Sequence, residues 1–248
     1  MSFSPTPSTP PEGSQKIALA TASRNGQSLA SVARGGALTM LTDPRSPAAE
    51  AYRSLAANLQ FSYADRQMQA IGVTSAAAGE GKSTTVANLA IALAEGGRRV
   101  IVIDADLRRP SLHTLFGVER QEGLSNLLGG DQLQLPLIDT ASPGVRLLAG
   151  GPVPANPLDV LASRRFDQAL SLARAQADFV LVDTAPAGVL ADAAVLAPRL
   201  DGMLLVVSAG RTKRDLARRA REQLERVNAN LLGVVLTDVR GDDKLYRY

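Results

Sequence analysis

The chain has 248 residues, 45% of them hydrophobic and 21% charged, enough for one α/β domain with a full core or two small ones. It has no cysteine and a single histidine, His113, which excludes a disulfide framework, a thiolate metal site and a histidine metal cluster. A net charge of +3, with no basic stripe interleaved with aromatics, gives no ground for nucleic-acid binding, and no apolar run approaches the ~18 residues of a membrane span.

Residues 1–40 are poor in large apolar groups, with Pro5, Pro7, Pro10 and Pro11 set among Ser and Thr, and read as a disordered or weakly ordered segment. The first residues lack the charged and apolar regions of a signal peptide, so a cytoplasmic location is expected. Order is expected to begin near Asp43-Pro44. Ser46 as N-cap and Pro47 at the first helical position open a helix to about Phe61. Tyr52, Leu55 and Leu59 share one of its faces, and Glu50 and Arg53 lie on another, where a surface ion pair contributes little.

Ile71-Gly72-Val73-Thr74-Ser75 is apolar and β-branched and reads as a buried strand. Gly79-Glu80-Gly81 follows, then Lys82-Ser83-Thr84 opens a run of small and apolar residues at helical spacing. Strand, glycine turn and helix start form the context of a P-loop, in which backbone amides and the helix N-terminus bind phosphate oxygens. Lys82 would reach the β and γ phosphates, and the Ser83 hydroxyl would hold Mg²⁺. The first glycine of the usual pattern is replaced by Ala76.

A second buried strand, Arg99 to Asp104, ends in Asp104-Ala105-Asp106-Leu107-Arg108-Arg109-Pro110. Carboxylates at the carboxyl end of a parallel strand lie where α/β folds bind ligands, and alternation lets Asp104 and Asp106 face one side together. Farther on, Gly123 to Gly130 reads as a short helix closed by glycine, Val145 to Ala149 as a strand, and Leu158 to Ala175 as one amphipathic helix. Phe179-Val180-Leu181-Val182-Asp183 is a third buried strand ending in an acid, the form in which a carboxylate orients Mg²⁺ beside a P-loop. Two more core strands, Gly202 to Val207 and Leu231 to Thr237, flank a helix from Thr212 to Ala229 that carries many arginines on its solvent side. Strands alternating with helices predict a P-loop NTPase-like α/β fold, a mostly parallel sheet with helices on both faces, over residues 41–240. A flexible tail, 241–248, holds Tyr246 and Tyr248.

Together the motifs resemble the bacterial tyrosine kinases of capsule and exopolysaccharide synthesis, in their stand-alone cytoplasmic form. The likeness covers about residues 41–248. It is carried by Glu50-Ala51-Tyr52-Arg53-Ser54-Leu55, Gly79-Glu80-Gly81-Lys82-Ser83-Thr84, Asp104 to Pro110, Gly123-Leu124-Ser125, Ala155-Asn156-Pro157, and Asp183-Thr184 with Asp192-Ala193. The resemblance implies ATP and Mg²⁺ as cofactors and γ-phosphoryl transfer to tyrosine hydroxyls, including Tyr246 and Tyr248 in the tail of a neighbouring subunit. By the same likeness Asp104 or Asp106 would take the tyrosine proton or orient the hydroxyl, Asp104 being the favoured base. Ser83, Asp106 and Asp183 would organise the metal directly or through water.

Glu50 and Arg53 look like the family's ring-forming motif, which implies a homo-oligomer; Ala56 stands where the family usually carries a second arginine. The implied partners are a membrane polysaccharide co-polymerase, or chain-length regulator, whose cytoplasmic segment activates the kinase at the inner face of the membrane, and a cognate phosphatase. Ala78 and Ala185 replace prolines common in the family without changing a charge. Two other readings compete. A positioning or partitioning ATPase carries a signature lysine where this chain has Ala77; against a nucleotide-binding regulator without kinase activity, the intact Lys82, Asp104, Asp106 and Asp183 argue for retained chemistry, while Ala56 and the two-tyrosine tail leave that reading open.

Overall fold

Short apolar runs bounded by polar turns set the strands, and their alternating side chains decide what each face of the sheet meets. The computed structural model describes residues 21–22, 38–61, 68–119, 122–131 and 134–239. Within them eight strands form one sheet: β1 Thr21–Ala22, β2 Ala70–Ser75, β3 Val100–Asp104, β4 Ile138–Asp139, β5 Val145–Leu148, β6 Phe179–Asp183, β7 Gly202–Ser208 and β8 Leu231–Thr237. Their order is β1-β8-β7-β2-β6-β3-β5-β4, parallel throughout except for β4 against β5. The helices are α1 Thr39–Thr42, α2 Pro47–Phe61, α3 Lys82–Glu95, α4 Leu112–Leu115, α5 Leu124–Gly129, α6 Pro157–Ala162, α7 Arg164–Gln176, α8 Asp192–Leu196 and α9 Arg214–Arg226.

A parallel sheet covered on both sides needs strands that are apolar on both sides. On one face Ile71, Val73, Val100, Val102, Leu181 and Leu204 pack against Tyr52, Leu55 and Leu59 of α2 and Leu89 and Leu93 of α3. On the other face Ile101, Ile103, Val180, Val182, Met203 and Leu205 pack against Phe166 and Leu170 of α7, Leu196 of α8 and Leu224 of α9. Continuing the alternation one step past Val102 and Leu181 puts Asp104 and Asp183 on the α2–α3 side. They stand opposite each other in the β3–β6 register. The expected architecture is therefore present, and the acids at the ends of β3 and β6 face the helix that Lys82 begins.

Local sequence chemistry accounts for several boundaries. The Ser46 hydroxyl accepts the Ala49 amide at 3.2 Å and caps α2 as its position predicts. Three features depart from the sequence reading. Helical structure starts at Thr39, ahead of Asp43-Pro44, with Met40 buried. The helix expected over Leu158–Ala175 is broken at Ser163, whose extended backbone separates α6 from α7. β4 adds an antiparallel pairing at the sheet edge that the sequence does not signal. No helix among the described residues is long and apolar enough to cross a membrane.

Candidate active site

The turn from β2 into α3 requires glycine at two points. Gly79 and Gly81 have φ of 76° and 84°, in the left-handed region that strains any other L-residue. Between them Glu80 is buried and ties the loop together. Its carboxylate accepts the Ala77 amide at 2.9 Å and the Thr212 hydroxyl, and its carbonyl accepts the Thr237 hydroxyl at 2.7 Å. Gly81 is the N-cap of α3, so the first-turn amides of a 14-residue helix are offered at this end of the sheet. One turn into α3, the Thr84 carbonyl accepts the Asn88 amide nitrogen at 2.9 Å, while Asn88 Oδ1 accepts the Met40 amide at 3.0 Å and so holds α1.

Lys82 is buried among carboxylates. Its Nζ bonds Asp183 Oδ1, lies 3.4 Å from Asp106 Oδ2, and donates to Ser83 Oγ at 3.3 Å. Ser83 Oγ in turn donates to Asp183 Oδ2 at 2.6 Å and accepts the Ser111 hydroxyl at 3.2 Å. Asp104 Oδ2 accepts the Ser111 and Leu112 amides at 2.9 and 3.0 Å, and its Oδ1 is buried with no hydrogen-bond partner. The Asp106 carboxylate also accepts the Arg109 amide at 3.2 Å.

These surroundings set the charges. Burial alone would lower the Lys82 ammonium, but Asp183, Asp106 and Asp104 hold it above its ordinary value, so it stays cationic. Burial, then repulsion from Asp183, pushes Asp104 up to about 7 against the pull of two amides and Lys82. Burial also raises Asp183, opposed by Lys82 and Ser83. One buried cation thus serves several acids. A ligand bringing further cationic charge would be welcome here, and a phosphate would compete with the acids for Lys82.

The sequence carries this site in a form shared with known proteins. Residues 71–247 match the family model of the CobQ/CobB/MinD/ParA nucleotide binding domain. The tyrosine-protein kinase YwqD of Bacillus subtilis (strain 168) is 39% identical over 197 residues, covering 79% of this chain and 83% of that protein. The chain belongs to the bacterial tyrosine-protein kinases. Solved structures agree. The chimerical protein CapA2B2 matches with a TM-score of 0.81 at 31% identity, over 90% of this chain and 94% of that one. The kinase domain of the Escherichia coli tyrosine kinase ETK matches with a TM-score of 0.80 at 28% identity, over 94% and 95%. More distantly, the septum site-determining protein MinD of Pyrococcus horikoshii, complexed with Mg-ADP, matches with a TM-score of 0.58 at 26% identity, over 68% and 69%.

In this tyrosine kinase Lys82, Ser83, Asp104, Asp106 and Asp183 come together, and Gly79, Glu80, Gly81 and Thr84 shape the loop beside them. Glu50 and Arg53 do not join them. Arg53 donates from Nε to Glu95 at 2.9 Å and from a terminal nitrogen to the Pro44 carbonyl at 2.8 Å, with Glu50 3.5 Å away. Glu95 is the last residue of α3, so this cluster sits at the opposite end of the helix from Lys82. Tyr246 and Tyr248 lie outside the described residues. Sequence reasoning missed three contributors: Ser111, the Thr212–Glu80–Thr237 lacing, and the Arg108–Asp192 ion pair at 3.0 Å, which anchors the β3–α4 loop to buried Asp192. A serine directly after the Asp-x-Asp-Leu-Arg-Arg-Pro run was the one available signal for the first of these.

Proposed function

We propose that the chain transfers the γ-phosphoryl group of ATP, with Mg²⁺, to tyrosine hydroxyls, and that through this it regulates exopolysaccharide or capsule synthesis and export. The observation that carries the reading is the convergence of three strand-end carboxylates on Lys82 and Ser83 beside the glycine turn. This donor set fits magnesium: carboxylates and a hydroxyl are its preferred ligands, and it takes few protein groups because it keeps waters and binds phosphate. Among the described residues no group of three or more His, Cys, Asp or Glu is placed to hold a metal ion by itself, so the Ser83 hydroxyl, water and phosphate oxygens would have to complete the site. Ser83, Asp106 and Asp183 would hold the ion. When bound, it would supply positive charge to offset the negative charge that builds on the phosphate oxygens.

The chain's own groups do the rest. The loop amides and α3 N-terminus grip phosphate oxygens, and Lys82 exchanges carboxylates for the β and γ phosphates. Asp104 is the base. Its free Oδ1 has open lone pairs, and a carboxyl titrating near 7 suits proton abstraction at neutral pH. The phenol oxygen forms its bond to the γ phosphorus as the bond from that phosphorus to the β–γ bridging oxygen breaks. The phenol proton passes to Asp104, and ADP leaves. Asp106 is the weaker candidate because its oxygens are engaged by Lys82 and the Arg109 amide.

The acceptors in this reading are Tyr246 and Tyr248 of a neighbouring subunit. A membrane polysaccharide co-polymerase activates the kinase at the inner membrane face, and a cognate phosphatase reverses its action. The chain mixed with that partner's cytoplasmic segment and Mg·ATP becomes phosphorylated at Tyr246 or Tyr248, and Lys82→Met abolishes the label. Equal labelling of Lys82→Met would refute the assigned site. Free phosphate as the sole product on thin-layer analysis would assign an ATPase instead.

A further inference from the structure

Ser111 occupies a cap position without acting as a cap. It precedes α4 as the N-cap residue, where a serine hydroxyl ordinarily accepts an amide of the first turn, yet its side chain makes no such bond. Asp104 Oδ2 takes over that end of the helix, accepting the Ser111 and Leu112 amides. The hydroxyl so released points away from α4 and donates to Ser83 Oγ at 3.2 Å.

A hydroxyl has one proton and two acceptor lone pairs. Ser83 uses all three: its proton goes to Asp183, and its lone pairs take Lys82 at 3.3 Å and Ser111. A cation can bind Ser83 only if one accepted bond leaves. Lys82 is the donor with somewhere else to go, since a phosphate draws it off, while Ser111 is fixed by its own amide on Asp104. With Asp183 and Ser111 still in place, the Ser83 rotor is locked, and the lone pair left open is the one that faced Lys82.

We infer that Ser111 is a positioning residue for the metal: its hydroxyl fixes the Ser83 hydroxyl so that one lone pair is presented to Mg²⁺. The inference rests on the proposed Mg·ATP site and extends it to a residue outside the phosphate loop and the acidic strand ends. The same residue holds the base through its backbone and the metal-binding serine through its side chain, so the β3–α4 loop sets both.

The test is binding, not turnover. A fluorescent ADP analogue is titrated onto the full chain in EDTA, and then at fixed nucleotide with increasing Mg²⁺. Ser111→Ala is expected to raise the half-saturating Mg²⁺ concentration roughly three- to ten-fold, the worth of one hydrogen bond, with affinity in EDTA unchanged. Ser111→Thr, which keeps the hydroxyl, restores the wild-type titration. A Ser111→Ala titration that overlays wild type, an equal loss in EDTA, or no rescue by threonine overturns the inference. Ser83→Ala is run alongside. If it loses the Mg²⁺ dependence while Ser111→Ala does not, the metal site stands and only the role of Ser111 falls. If Ser83→Ala keeps the full Mg²⁺ dependence, the metal assignment itself is wrong.

Discussion

Asp201 and Asp104 sit at opposite ends of the parallel strands of one sheet, Asp201 where β7 begins and Asp104 where β3 finishes, and their surroundings are opposite. Asp201, just before β7, accepts four hydrogen bonds: the Gln69 amide at 2.8 Å, the Ala70 amide at 2.7 Å, and both terminal nitrogens of Arg174 at 2.8 Å. Burial would raise its carboxyl, but the Arg174 fork and the two amides hold it below the ordinary range. Asp104, at the end of β3, has two amides on one oxygen, nothing on the other, a neighbouring carboxylate and a shared lysine, and is pushed up to about 7. The first acid is complete and ties β2 to β7 and α7. The second keeps one buried oxygen without a hydrogen bond. Under-satisfied buried charge at one end of the strands, with saturated charge at the other, is the contrast that singles out the Asp104 end as the candidate site.

The same substitution at the two positions breaks or sharpens the contrast. Asp104→Asn should cut phosphotyrosine formation by about 10²- to 10⁴-fold, the range for loss of a general base; Asp201→Asn should leave it within a few-fold. In stability the signs reverse. Asp201→Asn should lower the unfolding free energy by about 2 kcal/mol in urea melts, because Arg174 loses its charged partner. At pH 8 without Mg²⁺, Asp104→Asn should raise it by a similar ~2 kcal/mol, since a buried charge is removed.

The pH dependence follows the same division. Asp104 binds its proton more tightly folded, at about 7, than at its ordinary 3.8, so its contribution makes stability fall as pH rises from about 4 to about 7. Asp201, lowered in the folded state, stabilises fully above about pH 4, and that contribution is lost as pH drops through its folded value. Melts of the two Asn variants from pH 3 to 8 should each erase one of these slopes; a wild-type slope unchanged in Asp104→Asn would contradict the reading of that acid.

The smallest effect expected is at Tyr52. Its hydroxyl is buried and without a hydrogen-bond partner, and burial pushes it up to about 12. The neighbouring Thr85 hydroxyl gives its one proton to the Gly81 carbonyl at 2.9 Å and so has none to donate to the phenol, whose rise it only partly offsets. Tyr52→Phe should therefore change stability by no more than ~0.5 kcal/mol, or raise it. A loss above ~1 kcal/mol would mean that the phenol contributes a polar contact to the α2–α3 packing.

What the sequence made legible was local. Alternating apolar strands, glycine-lysine-serine after a strand, and acids at strand ends all depend on near neighbours, and the fold and five of the site's side chains follow from them. The failures depend on distant partners. Ala162-Ser163-Arg164 has nothing in its own composition to stop a helix. The guanidinium of Arg199 does it, taking the Leu161 and Ala162 carbonyls at 2.7 Å and satisfying the end of α6. The early start at Thr39 depends on Asn88 bonding the Met40 amide across 48 residues. Ser111 carries no signal of its role in its near neighbours; that role rests on Asp104, seven residues back, taking its amide, and on Ser83 accepting its hydroxyl.

Thr237, in the last strand of the sheet, donates to the Glu80 carbonyl across 157 residues, and a Cβ at Gly81 would lie 3.3 Å from its methyl group. The glycine turn is thus held by one of the latest residues of the sheet. Any truncation that stops short of Thr237 would leave an ordered glycine turn without the hydroxyl that holds it in shape.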